Sequence, residues 1–161
     1  MKQKKITRKG YHVFALILPF LLLGVMGCSS DDENKIVDQD LTYLKGNYVG
    51  TWNSKTPIKD YVDYPISARV LTSDNNELTG TFFYTRNFSV CCSDAEYDGT
   101  FTAKIDGKVV KSFRLDDIQR DCEAVFTGTG TLREGDNALV VDITGTDCKG
   151  AHVGQIILVK Q

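Results

Sequence analysis

Histidine is almost absent from this chain: of 161 residues only His12 and His152 are histidine. His12 falls in a leader segment, so a histidine-based zinc site or a nucleophile–histidine–acid triad would have to be built around His152 alone. That residue is expected in a loop and solvated. The chain also lacks a C-x-x-C pair and a glycine-rich phosphate loop opening a helix, the usual marks of a thiolate metal site and a nucleotide site. No stretch keeps a 3.6-residue hydrophobic period for a dozen residues, which argues against a helical domain. The cluster Asp116, Asp117, Arg120 and Asp121 offers carboxylates for acid–base work, but a solvated loop accounts for it more simply. A non-enzyme with no cofactor, no metal and no catalytic residue is the expectation.

Long apolar runs are limited to one. Residues 1–10 carry Lys2, Lys4, Lys5, Arg8 and Lys9 without an acid, residues 13–27 are almost wholly apolar, and an acidic stretch follows. This is the layout of a secretory signal. A run of about 15 residues is short for a membrane-spanning helix, which needs roughly 20, and Pro19 stands in its middle. Val25-Met26-Gly27-Cys28 resembles the bacterial lipobox, in which the leader is cut before a lipidated cysteine. Ser29-Ser30-Asp31-Asp32-Glu33 is similar to the acidic export signal of surface lipoproteins of Bacteroidota. The resemblance implies a signal peptide over 1–27 and acylation of Cys28, palmitate included. It further implies lipid anchoring in the outer membrane with exposure at the cell surface. More than one acyl chain on Cys28 would make the membrane a stable partner. Residues 28–40 then read as the lipidated cysteine and a flexible acidic tether, and 41–161 as the domain.

Loss of residues 1–27 leaves 134 of the 161 residues and removes five of the 19 basic side chains but none of the 21 acidic ones, giving a net charge of −7. Such a balance excludes nucleic acid as a partner, since phosphate binding needs a basic footprint. A chain of this size buries enough surface for a core of its own. Short alternating runs rich in Val, Ile, Thr, Phe and Tyr predict eight strands, over 48–54, 63–72, 77–85, 98–105, 108–116, 122–132, 137–146 and 153–160. One face shows in several of them: Leu78, Phe82 and Tyr84; Phe101, Ala103 and Ile105; Ala124, Phe126 and Leu132; Leu139, Val141 and Ile143. Gly-Thr pairs recur at "VGTW", "TGTF", "DGTF", "TGTG" and "TGTD", where glycine inside a strand signals sharp coiling or close backbone approach.

An all-β, eight-stranded antiparallel up-and-down barrel follows, because closure removes exposed edges. Tight turns at "SDNNE", "DG" and "EGDN" would sit at one end. Longer loops at 55–62, 86–97, 117–121 and 147–152 would form an open mouth at the other. Cys91, Cys92, Cys122 and Cys148 all fall at that mouth. Adjacent cysteines rarely pair with each other, so Cys91 and Cys92 are each expected to bond one of Cys122 and Cys148, the choice left open.

Gly50-Thr51-Trp52 resembles the G-x-W signature on the first strand of lipocalins and the wider calycin superfamily, and "GTW" with "LTGTFFYT" is also similar to the avidin family. The resemblance implies the same meandering barrel. Trp52 is expected as a core residue plugging the closed end. Two functions fit. In one, a small apolar or amphipathic ligand enters the barrel past Tyr61, Tyr64, Arg86, Phe88, Tyr97 and Arg120. In the other, a filled barrel contacts a surface protein or glycan through disulfide-tied loops.

Overall fold

The structure is a computed structural model that describes residues 38–161. The segment expected to be a signal peptide, the expected lipidation site Cys28 and most of the expected tether therefore lie outside the described residues. Eight strands follow in chain order: β1 (Gly46–Lys55), β2 (Asp60–Asp74), β3 (Glu77–Phe83), β4 (Gly99–Asp106), β5 (Val109–Asp117), β6 (Ala124–Arg133), β7 (Ala138–Asp147) and β8 (Gly150–Lys160). Each pairs antiparallel with the next, and β1 also pairs with β8, Tyr48 opposite Lys160 and Lys55 opposite Val153, so the sheet closes into a barrel. This meander is compatible with a calycin-like fold.

Alternation places one face of every strand inside. Tyr48, Ile66, Leu78, Phe101, Phe113 and Leu158 are among the buried inward side chains, and all the apolar faces expected from sequence point inward, Tyr84 packing against the core from its rim. The recurrent glycines lie where neighbouring strands crowd. A Cβ on Gly50 would sit 1.7 Å from the Ile157 carbonyl oxygen, and one on Gly130 1.9 Å from that of Val140. Glycine there lets the strands coil tightly enough to close a small barrel.

One end is shut. Turns at Asn75-Asn76 and Gly107-Lys108 use left-handed residues, Asn75, Asn76 and Gly107 all having φ between 49° and 60°, as two-residue hairpins with the right twist require. Below them a 3-10 turn (Thr42–Leu44) lays Leu41 and Leu44 into the base, and the Tyr48 hydroxyl donates to the Leu44 carbonyl at 2.7 Å. Leu41, Leu44 and Tyr48 thus fill the place expected for Trp52. The tryptophan is buried as expected, but it stands near the other end of β1, because its strand runs from the base towards the mouth.

The mouth receives the remaining connections, residues 56–59, 84–98, 118–123 and 148–149. The last is a two-residue turn rather than the long loop expected, so His152 lies on β8 and is 4% exposed rather than solvated. Cysteine pairing also differs from expectation: Cys122 bonds Cys148 and Cys91 bonds Cys92. Pairing of Val125 with Thr146 across β6 and β7 brings Cys122 and Cys148 to Cα atoms 5.3 Å apart, a span a disulfide bridges readily. Cys91 and Cys92 belong to another part of the rim, where Asp98 holds them.

Candidate functional site

A β-bulge builds the mouth. Trp52 lies opposite Tyr64 and Ser54 opposite Tyr61, so Val62 and Asp63 together face the single residue Asn53. Asp63 takes φ 49° and its amide donates to Asn53 Oδ1 at 2.8 Å. The extra residue turns both Tyr61 and Tyr64 inward, which strict alternation would forbid for positions three apart.

Buried carboxylates organise the loops. Asp98, fully buried, accepts amide protons from Tyr84 at 2.9 Å, Cys92 at 2.9 Å and Cys91 at 3.2 Å. It thereby fixes the 84–98 loop and carries Cys92 to the edge of the mouth. Asp117, expected in a solvated cluster, is 3% exposed. It accepts from the Tyr84 hydroxyl (2.8 Å) and from the backbone and side-chain amides of Gln119 (2.9 and 2.8 Å). Burial pushes the Asp117 carboxyl above the usual carboxylate range, against the pull of these hydrogen bonds. Burial, and then the neighbouring Asp117, push the Tyr84 hydroxyl well above its ordinary pKa, keeping it a donor.

Between these walls lies a cavity of about 100 Å³, lined by Trp52, Tyr61, Tyr64, Tyr84, Phe126, Cys92, Gln119, Asp147, Lys149 and His152. Trp52 packs edge-on to Phe126 with centroids 4.8 Å apart, and His152 stacks on Tyr61 at 5.6 Å. The cavity holds roughly three waters' worth of space, far less than the roughly 300 Å³ or more of a site that engulfs a whole drug-sized ligand. Below it the barrel is filled by its own side chains. A wider depression outside the barrel, bordered by exposed residues such as Arg114, Thr127 and Asp142, is open to solvent.

Ser54, His152 and Asp147 form a line of polar contacts. Ser54 Oγ lies 3.0 Å from His152 Nδ1, and His152 Nε2 lies 3.1 Å from Asp147 Oδ1. This superficially has the order of a nucleophile, base and acid. Ser54, however, is not on the cavity wall, and its oxygen accepts the Trp52 indole N–H at 2.7 Å. Trp52 can only donate, and the second contact of the serine oxygen is shared with His152 Nδ1, where either group is able to act as the donor. His152 Nε2, although 3.1 Å from Asp147 Oδ1, makes no hydrogen bond among the described residues. The relay therefore holds the imidazole's orientation from behind, with Asp147 and His152 both on the cavity wall.

Of the residues expected at the mouth, Tyr61 and Tyr64 line the cavity. Arg120 instead pairs with Asp94, Phe88 packs on Phe83 and under the Arg69 guanidinium on the outer wall, Arg86 is exposed, and Tyr97 is half-buried in its loop with its carbonyl accepting from Ser93. Trp52, Tyr84, Phe126, Gln119, Asp147, Lys149 and His152 were not foreseen as lining residues. The inward alternation of β1, β3 and β6 carries a signal for Trp52, Tyr84 and Phe126, whereas Asp147 and His152 needed the length of the last turn. Comparison of the chain with protein-family models, with curated proteins and with solved structures gives no match.

Proposed function

We propose that this chain is an outer-membrane lipoprotein, anchored through Cys28 and exposed at the cell surface, whose barrel mouth holds the end group of a small amphipathic ligand. The observation that carries the binding half of this reading is the mouth cavity itself, where aromatic rings meet polar groups above an interior of buried apolar side chains. A wholly apolar ligand threaded down the barrel is disfavoured, since Phe82, Phe101 and Phe113 occupy the space it would need. Native mass spectrometry of the protein purified gently from its host is the test. An added mass that departs on denaturation is the expected result. A clean apo mass would instead favour the second reading, which the filled interior supports: a barrel that works through its rim loops on a surface protein or glycan.

The anchoring half rests on the lipobox resemblance at residues 25–28. Cys28→Ala is expected to abolish metabolic palmitate labelling and to release the protein from the membrane fraction. Undiminished labelling in that variant would sink the assignment.

A further inference from the structure

Five rings close a circuit around the mouth cavity. Tyr61 meets Tyr64 with centroids 6.0 Å apart, Tyr64 meets Tyr84 at 6.4 Å, Tyr84 meets Trp52 at 6.0 Å, Trp52 meets His152 at 6.1 Å, and His152 returns to Tyr61 at 5.6 Å. All five line the cavity. Drawn as a regular pentagon with edges of about 6 Å, the circuit has its middle about 5 Å from the ring centres, within the roughly 6 Å over which a ring attracts a cation placed over its face.

The charges at this circuit have one sign on the inside. Asp147 Oδ1 accepts the Lys149 amide proton at 2.7 Å and lies beside His152 Nε2, while its Oδ2 accepts no hydrogen bond among the described residues. Asp117 and Asp98 stand behind Tyr84, both buried. The cations sit at the rim, where Lys59 and Lys149 place their ammonium groups 4.9 and 5.7 Å from the Tyr61 ring. The rim thus already collects ammonium groups from the chain itself.

We propose that the mouth binds a small organic molecule through a protonated primary amine. The ammonium sits within the ring circuit and donates to Asp147 Oδ2, the carbon skeleton extends out past Tyr61 and Tyr64, and the Lys149 side chain is the internal competitor it displaces. The proposal rests on the reading of the mouth as a ligand site and names the ligand's chemistry. A neutral hydroxyl of the same size could donate to Asp147 Oδ2 but would bring no compensating charge and no cation for the rings, and an anionic group would be repelled.

The test uses the intact protein in a non-ionic detergent and the fluorescence of Trp52, the chain's only tryptophan, which lines the cavity. Titration with n-butylammonium is compared with n-butanol and n-butyrate at matched ionic strength. A saturable change with the amine alone is expected. Asp147→Asn is expected to weaken amine binding about tenfold, the scale of one charge-assisted hydrogen bond. Lys149→Met, on an exposed side chain, is expected to tighten it several-fold, a gain that misfolding would not produce. An equal response to butanol, or unchanged or weaker amine binding by Lys149→Met, would overturn the proposal. Silence towards the amine with a neutral or anionic adduct in the native mass spectrum would overturn the amine while leaving the ligand site. Silence together with a clean apo mass would remove both.

Discussion

Gly50→Ala is expected to cost the domain about 3 kcal/mol, at the upper end of what overpacking does. The methyl would be placed 1.7 Å from the Ile157 carbonyl oxygen and 2.7 Å from its carbon. Both are backbone atoms, so no rotamer change relieves the contact. Gly50 also pairs directly with Leu158 on β8, where the sheet closes, and separating those strands would sacrifice their hydrogen-bond ladder. A loss of that size should lower the melting temperature by roughly 10 °C in a domain of this length. Gly135→Ala is the control: its added Cβ meets nothing within 4 Å, and no measurable change is expected. Equal stability of the two variants in urea and thermal unfolding would contradict a barrel closed between β1 and β8.

Removal of the Cys122–Cys148 bond in a Cys122→Ser, Cys148→Ser double variant is expected to cost about 3.5 kcal/mol in the loop-entropy account. The two residues are 26 apart, and the enclosed chain, strands β6 and β7 with their turn, regains its freedom in the unfolded state. The variant should unfold at correspondingly lower denaturant concentration with little change in the folded barrel. Cys91→Ser, Cys92→Ser is the contrasting case. Those residues are adjacent, so their bond encloses no chain worth constraining, and Asp98 continues to hold the same two backbone amides. A smaller loss is expected there. Peptide mapping without reductant supplies the covalent check, and a crosslink between either Cys91 or Cys92 and either Cys122 or Cys148 would refute the pairing on which both expectations rest.

The barrel was legible because its inward positions are apolar over most of each strand. Leu139, Val141 and Ile143 announce β7, and Phe101, Ala103 and Ile105 announce β4. Near the mouth the same geometric positions are held by Ser54, Gly145, Asp147, His152 and Gly154, and a hydrophobic period passes over them without a trace. The sequence 147–152 therefore reads as a loop, and a buried histidine reads as a solvated one. Tyr61 and Tyr64 were placed at the mouth by strand order, yet the bulge at Asp63 that turns both inward is invisible to a period of two. The cysteine pairing failed for a related reason. A rule about adjacent residues was set against the distance around the rim, and the neighbouring strands β6 and β7 had already brought Cys122 to Cys148.

Every ladder in the barrel but one joins strands consecutive in the chain, and the exception joins its two ends, with the Gln161 amide donating to the Asn47 carbonyl at 2.9 Å and the Lys160 ammonium to that of Tyr43. During assembly each hairpin adds to a growing sheet at small loop-closure cost, and the longest closure falls on the final ladder. Until that ladder forms, β1 and β8 are two bare edges open to pairing with another chain. The window for intermolecular misassembly opens with the first hairpin and shuts when those edges meet.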